Sequence, residues 1–282
     1  MSFALQAIVI EYRSPQRTIT CIKVLLEQNV SEVVVVDNSA DEGLTRSALE
    51  NVFSGDARIR ILDAGRNLGF AAGVNFGLRF RTSERVLLIN NDAVPRPGAL
   101  EALIAGLDAD ADACIAYPSL LHNLSPISRV FYHRWFPLVL SHAWPGAFEI
   151  PRGCCMLIAF DRTSAGGLFD ERFFMYGEEI ALGWHIFRAG SRMLYIEQAW
   201  VDHEGSASAV RGSSFYEENT ARAHLVLGDV LAKGWLDRWL IMSVRLPILF
   251  MRAFLRTLRQ LSGVPMRSFF RVIWSYKRND AR

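Results

Sequence analysis

The feature that most constrains the fold is a series of short, wholly apolar runs, each cut off by polar residues. Val86 to Ile89 is the sharpest. It ends abruptly in Asn90-Asn91-Asp92, and Pro95, Pro97 and Gly98 then bar its continuation as a strand. An unbroken apolar run bounded in this way fits a strand buried on both faces. Gln6 to Glu11, Glu32 to Val36 and Ile59 to Asp63 read as strands too. Helical periodicity occupies Thr18 to Gln28 and Leu44 to Phe53 between them, and Ala99 to Leu107 after them. Strands alternating with helices at this spacing imply βαβ units and a mostly parallel sheet. Right-handed crossovers bring the strand C-termini to one edge, where ligands bind in open α/β sheets. Tyr12, Asp37, Arg66, Asn67 and the Asn90-Asn91-Asp92 turn are therefore expected to converge.

A carboxylate flanked by amides at a rigid strand end suits a hard divalent cation that also holds substrate phosphates. An ordinary Asx-rich turn is the alternative. Asp37 alone also resembles a phosphoacceptor strand end, or a helix cap. Gly69, Gly73 and Gly77 are spaced to let a helix approach something closely, with a tight helix–sheet contact as the structural alternative. The segment has neither the Gly-Lys-Ser/Thr of a P-loop nor a GxGxxG fingerprint, which argues against a phosphoacceptor or dinucleotide-binding protein.

Further along, Ala113 to Tyr117, Met156 to Phe160 and Met193 to Ile196 read as strands. His122 to Pro151 reads as a long, irregular, aromatic-rich segment suited to stacking on sugars, entering a membrane interface or packing over the core. Glu178 and Glu179 open a helix that runs through Ala189 and stops at Gly190. Acids at a helix N-terminus are favoured by its dipole, so capping alone could account for both. Adjacent carboxylates also repel, however, and burial raises the pKa of such a pair, which is how a carboxylate becomes a useful general base.

At 282 residues the chain can form one large α/β domain, with or without an appendage. Cys21, Cys114, Cys154 and Cys155 lack metal-ligand spacing, and the adjacent pair reads as buried apolar residues in a reducing compartment. Neither a secretory signal nor an apolar run of membrane-spanning length is seen. Net charge is +2, yet residues 238–282 hold ten Lys/Arg against one acid, Asp280. An acidic body with a basic tail implies an anionic partner for the tail. At 100° per residue, Arg238, Arg245, Arg252, Arg256 and Arg259 share one stripe of a helix over Lys233 to Gln260, interrupted at Pro247, and apolar residues fill the rest. That pattern predicts a helix lying on an anionic membrane. A hairpin packed on the catalytic body or on a second subunit, as in a homo-oligomer, is the alternative. No nucleic-acid motif accompanies the charge.

In combination these segments resemble an inverting glycosyltransferase of GT-A family 2, near its bacterial rhamnosyltransferase-like members. The resemblance rests on Asp37-Asn38-Ser39, the run from Arg66 to Asn75, Leu88 to Asp92, Gly167 to Glu179, Arg188-Ala189-Gly190 and Val201 to Ser208, in the family's order. It implies an α/β GT-A fold, Rossmann-like with a mostly parallel central sheet and flanking helices, plus a C-terminal basic amphipathic helical extension. Residues 1–118 would form the nucleotide-sugar-binding half, 119–210 the acceptor-binding half, and 211–282 the membrane-associating or oligomerising extension. It implies that Tyr12, Asp37, Arg66, Asn67, Asn75, Asn90 and Asn91 bind the nucleotide sugar. Asp92 and His203 would hold Mg²⁺ or Mn²⁺, Glu179 would be the catalytic base, and Asp170, Glu171 and Glu178 would shape the acceptor site. The implied donor is a dTDP-sugar, best dTDP-L-rhamnose, or a UDP-sugar. The implied acceptor is a lipid-linked glycan met at the inner face of the cytoplasmic membrane during surface polysaccharide assembly. Asn90 in place of an Asp, the Glu178-Glu179 pair and Ala181 depart from the family pattern, and they raise the alternative of a non-catalytic nucleotide-sugar-binding subunit.

Overall fold

The computed structural model describes residues 4–122, 125–163, 167–205 and 212–279. Its first half follows the expected alternation: β1 (Gln6–Glu11), α1 (Pro15–Glu27), β2 (Glu32–Asp37), α2 (Leu44–Phe53), β3 (Ile59–Asp63), α3 (Gly69–Leu78) and β4 (Arg85–Asn90). After a short β5 (Ala93–Pro95) come α4 (Ala99–Ala109) and a ten-residue β6 (Ala113–His122). The excursion that follows holds β7 (Ser125–Ile127), β8 (Val130–His133), β9 (Val139–Leu140) and β10 (Ala147–Ile150). The chain then forms β11 (Cys155–Ala159), α5 (Glu178–Ala189) and β12 (Arg192–His203), and ends in three helices, α6 (Ser214–Val230), α7 (Trp235–Gln260) and α8 (Val264–Asn279).

The main sheet runs β3-β2-β1-β4-β11-β6-β12-β5, with β7 on β6. Its first four strands are parallel, in the order of a nucleotide-binding half-sheet. The second half is mixed. β11 runs antiparallel to both β4 and β6, because the chain enters it from the excursion and not through a crossover helix. Alternation along each strand divides the core. Val33 and Val35 face the layer of α1 and α4, while Val34 and Val36 face that of α3, α5 and α6.

The glycines of α3 serve close packing. A Cβ at Gly77 would lie 2.8 Å from Val36 and 3.0 Å from Ile8, so the helix sits on the sheet there, and one at Gly73 would lie 2.8 Å from the Asn38 amide. Gly69 has φ +80° and would push a Cβ against the Phe174 carbonyl, which instead accepts the Phe70 N–H at 2.8 Å. The expected irregular stretch proves to be ordered: β8, β9 and β10 make a small antiparallel sheet that buries Tyr132 and Phe148. Its Phe136, Val139 and Trp144 are exposed.

The tail corrects one expectation. α7 is continuous through Pro247, and four arginines of its stripe, Arg238, Arg245, Arg252 and Arg256, turn toward the body, while Arg259 is exposed. Arg245 is fully buried, with Nη1 donating to Tyr132 Oη at 3.1 Å and Nη2 to the Arg134 carbonyl at 2.9 Å. Arg238 pairs with Asp229, Arg252 donates to His224 Nε2, and Arg256 pairs with Glu217, all on α6. Burial, reinforced by Arg252 and Arg245, depresses the His224 pKa to about 3, so the ring is neutral and can accept. Helical period gives which residues share a stripe, but a helix apolar on two faces does not reveal which one packs. On the arginine face the helix packs on the body, because α6 carries the matching acids. Residues 280–282, including Asp280, and the 206–208 end of the His203 motif lie outside the described residues.

Candidate active site

A cleft of about 620 Å³ opens at the C-terminal ends of the parallel strands. Tyr12, Asn67, Asn90, Asn91, Asp92, Glu179 and His203 all line it. Asp92 and His203 are distant in sequence but are joined by the sheet. Asp92 immediately precedes β5, and β5 pairs with the end of β12 in the register His203 opposite Ala93. The imidazole Nε2 then lies 3.2 Å from Asp92 Oδ1, and the Glu204 N–H donates to the Asp92 carbonyl at 3.1 Å. Beside them Asn90 Oδ1 is buried and makes no hydrogen bond. Among the described residues no cluster of three or more His, Cys, Asp or Glu could close around a metal by itself. A carboxylate, an imidazole and an unpartnered amide oxygen suit Mg²⁺ or Mn²⁺, which takes only one or two protein carboxylates and completes its shell with phosphate and water. The donor set therefore fits a cation shared with a diphosphate.

Glu179 stands on another wall. Tyr176 and Gly177 take positive φ, 71° and 94°, to turn the chain into α5, whose first residues are the two glutamates. Glu179 Oε1 accepts the Gly153 N–H at 3.2 Å. Burial raises its pKa, while Arg152, the Gly153 N–H and His203 hold the rise in check. Glu178 is buried with Oε2 unpartnered; burial first, and the Glu179 charge second, push it up to about 8. Burial pushes both carboxyls of the pair up, and Arg152 with the Gly153 N–H favours the ionised form of Glu179, the form that can accept a proton.

The folded protein holds on Glu178 a proton that the unfolded chain releases near 4.5. That contribution to stability is complete below about 4.5 and is lost as pH rises to about 8, with a slope of up to about 1.4 kcal/mol per pH unit. Thermal unfolding at pH 5 and pH 8 should show a smaller loss of Tm for Glu178→Gln than for the unmodified protein. Equal losses would show that Glu178 titrates normally.

Other expected site residues lie off the cleft lining. Asp37 is buried and accepts the Ser39 N–H at 2.8 Å, shaping the turn after β2. Arg66 is exposed. Asn75 clasps the segment that bears Asp170 and Glu171: its Nδ2 donates to the Phe169 carbonyl and to Glu171 Oε1, and its Oδ1 accepts the Leu168 and Phe169 N–H groups. Asn75 and Glu171 border a second cavity of about 600 Å³, and Asp170 pairs with Arg172 at 2.6 Å. Asn91 lines the cleft, but its amide points beneath the floor, donating to Glu11 Oε2 at 2.9 Å and Thr18 Oγ1 at 3.1 Å.

Sequence reasoning missed Glu11, Asn38, His122, Arg152 and Gly153. Glu11 is fully buried and ties the end of β1 to Ser14, Thr18 and Asn91, so it sets the Asn90-Asn91-Asp92 turn from below. An acid closing an otherwise apolar strand was the available signal. Asn38 bridges the turn after β2 to the start of α3, and His122 Nδ1 lies 3.2 Å from the His203 carbonyl. A Cβ on Gly153 would fall 2.2 Å from Glu179 Oε1. Gly153→Ala must therefore displace the carboxylate, and misplacements near 1 Å can cost about 10²-fold in rate. We expect at least about a tenfold fall in kcat with donor Kd little changed, measured by steady-state kinetics and donor titration.

A parallel half-sheet, a mixed second half and a cleft over the strand ends make up a GT-A type fold. The chain belongs to glycosyl transferase family 2, whose model matches residues 7–195. It is 25% identical over 256 residues to the N-acetylglucosaminyl-diphospho-decaprenol L-rhamnosyltransferase of Mycobacterium tuberculosis (strain ATCC 25618 / H37Rv), covering 78% of this chain and 81% of the relative. The pre-mycofactocin glycosyltransferase of the same strain is 28% identical over 204 residues, with 66% of this chain and 42% of that protein covered. Among solved structures, the mannosyltransferase PcManGT from Pyrobaculum calidifontis, in complex with GDP-Man and Mn²⁺, aligns with TM-score 0.59 at 16% identity. That alignment covers 98% of this chain and 88% of that one. GalNAc-T7 with UDP, GalNAc and Mn²⁺ gives TM-score 0.61 at 13% identity over 78% of this chain and 47% of that one.

Proposed function

We propose that this family 2 glycosyltransferase is a metal-dependent inverting enzyme that moves L-rhamnose from dTDP-L-rhamnose onto a hydroxyl of a lipid-linked glycan, at the inner face of the cytoplasmic membrane, during bacterial surface polysaccharide assembly. The observation that carries this reading is the juxtaposition of Asp92, His203 and Asn90 with Glu179 in one cleft. The choice of sugar and lipid is supported by the decaprenol-linked rhamnosyltransferase relative.

Asp92, His203 and the Asn90 oxygen would hold Mg²⁺ or Mn²⁺ together with the donor diphosphate. The bound cation would supply neutralisation of the charge that develops on the departing nucleoside diphosphate. Tyr12 and Asn67 would border the nucleotide. Glu179 would take the proton from the acceptor hydroxyl as its oxygen attacks the anomeric carbon from the face opposite the leaving group, which inverts that centre. Burial raises the Glu178 pKa, which would lessen the second charge beside the base.

The departures that suggested a non-catalytic subunit are partly met by the geometry. Asn90 still lines the cleft and keeps an unpartnered Oδ1, and Glu179 lines it too despite its longer arm. The test is sugar transfer from dTDP-L-rhamnose and from UDP-sugars to a polyprenyl-diphosphate-linked acceptor, with Mn²⁺ and after chelation by EDTA. Transfer that EDTA abolishes and Mn²⁺ restores is expected. Donor binding without transfer or hydrolysis would favour the non-catalytic subunit, and preference for a UDP-sugar would replace the rhamnose assignment.

A further inference from the structure

We propose that the outward face of α7 and α8 is the surface on which the protein lies on a lipid bilayer, and that it binds through apolar and indole side chains, the arginine row serving inside the molecule as the fastening of the tail. The inference rests on the reading of a lipid-linked acceptor and names the surface that brings the site to it.

Two faces of α7 are apolar, and only one is covered. Ile241, Arg245, Leu249 and Ala253 are buried against the body. The opposite stripe, through Trp239, Leu240, Phe250, Phe254 and Leu258, is exposed, and Trp274 on α8 is exposed as well. At 1.5 Å per residue α7 is about 39 Å long, so this is a long uncovered apolar strip, of the kind that marks an interaction surface. No helix among the described residues is long and apolar enough to cross a membrane, and an exposed apolar strip along an amphipathic helix suits lying in the interface. Indoles favour that depth, with the ring in the acyl region and the N–H among headgroups.

Charge favours lipid over a second copy. The acids of the three helices are neutralised by pairing: Asp229, Glu217 and Glu218 pair with Arg238, Arg256 and Arg271, and Asp237 pairs with Arg134. The exposed charges at the ends of the strip are Lys233 before α7, and Arg259 and Arg267 near the α7–α8 turn. A twofold-related copy would set this basic rim against itself or against apolar surface, whereas lipid phosphates complement it.

The strip also ends beside the cleft. A Cβ on Gly212 would lie 3.2 Å from the Gln260 side chain at the end of α7, and Phe215, three residues on, lines the cleft. Leu261, 93% exposed, follows Gln260 directly. A bilayer under α7 thus brings a lipid-borne hydroxyl to the rim that leads to Glu179.

The test is co-sedimentation of the full chain with vesicles of pure phosphatidylcholine, and with vesicles containing phosphatidylglycerol, at 0.15 M and 1 M NaCl. Binding to pure phosphatidylcholine that persists in 1 M NaCl is expected, with a gain of a few-fold from the anionic lipid at low salt. The triple variant Trp239→Ser, Leu240→Ser, Phe254→Ser should bind at least about tenfold more weakly, while its transfer to a lipid-free, soluble acceptor stays unchanged. Binding confined to anionic vesicles and abolished by salt would overturn the proposal, as would a dimer that the triple variant dissolves without any vesicle binding. Vesicle binding with no transfer to any acceptor would instead refute the enzymatic reading and leave the surface standing.

Discussion

Replacing Glu179 with Gln should lower kcat by at least about 10²-fold, the lower end of what a positioned general base supplies. The substitution keeps size and one hydrogen-bond acceptor, so the Gly153 N–H retains a partner and the start of α5 is preserved. What is lost is the capacity to take a proton while the acceptor oxygen attacks. The donor does not depend on that capacity, so its Kd should be nearly unchanged, and the loss should fall on kcat and kcat/KM alike. The pH–rate profile discriminates further. The unmodified enzyme should gain activity as Glu179 ionises, over a range raised above that of an ordinary carboxylate by burial. The variant should be flat over that range. Retention of near-normal turnover by Glu179→Gln would remove the residue from the mechanism.

Asp92→Ala should have an effect as large, by another route. Asp92 is the carboxylate paired with His203 in the cleft, and its side chain is largely buried. On the proposed reading, removing it would leave an imidazole and an amide oxygen to hold a divalent cation. Loss of even an outer partner of a metal ligand typically costs about 10–100-fold in metal affinity, and loss of the ligand itself should cost at least that much. Mn²⁺ titration of the nucleoside-diphosphate complex should show this shift, and transfer should become unsaturable in metal over the accessible range. Unlike Glu179→Gln, the variant should bind the donor poorly, because the diphosphate loses its counter-ion. An Asp92→Ala enzyme with the original Mn²⁺ dependence would place the cation elsewhere.

The parts legible in the sequence were those governed by local rules. The valine run of β2, the stop after Ile89 and the Gly190 terminus of α5 carry their own signals, and the structure has them within a few residues. The small sheet of β8, β9 and β10 was not legible, because strands of two to four residues in an aromatic stretch have too little alternation to register. The approach of His203 to Asp92 depends on the register of β12 against β5, which no spacing within either motif encodes; the family pattern, and not periodicity, suggested it. Gly153 escaped for a related reason. Its value lies in what a side chain there would strike, and that neighbour comes from a distant helix. In the tail, both the helix and the arginine stripe were readable, but its orientation was decided by acids on α6 that sequence proximity does not link to it.

The four cysteines give the molecule a built-in reporter of its own opening. All are free and buried, and burial raises the thiol pKa of each, Cys21 to about 12. A thiol reagent finds almost no thiolate while the sheet is closed. All four thiols belong to the core layers, but only Cys154 among them also borders the cleft, so the order in which they are alkylated separates breathing of the cleft from separation of the layers.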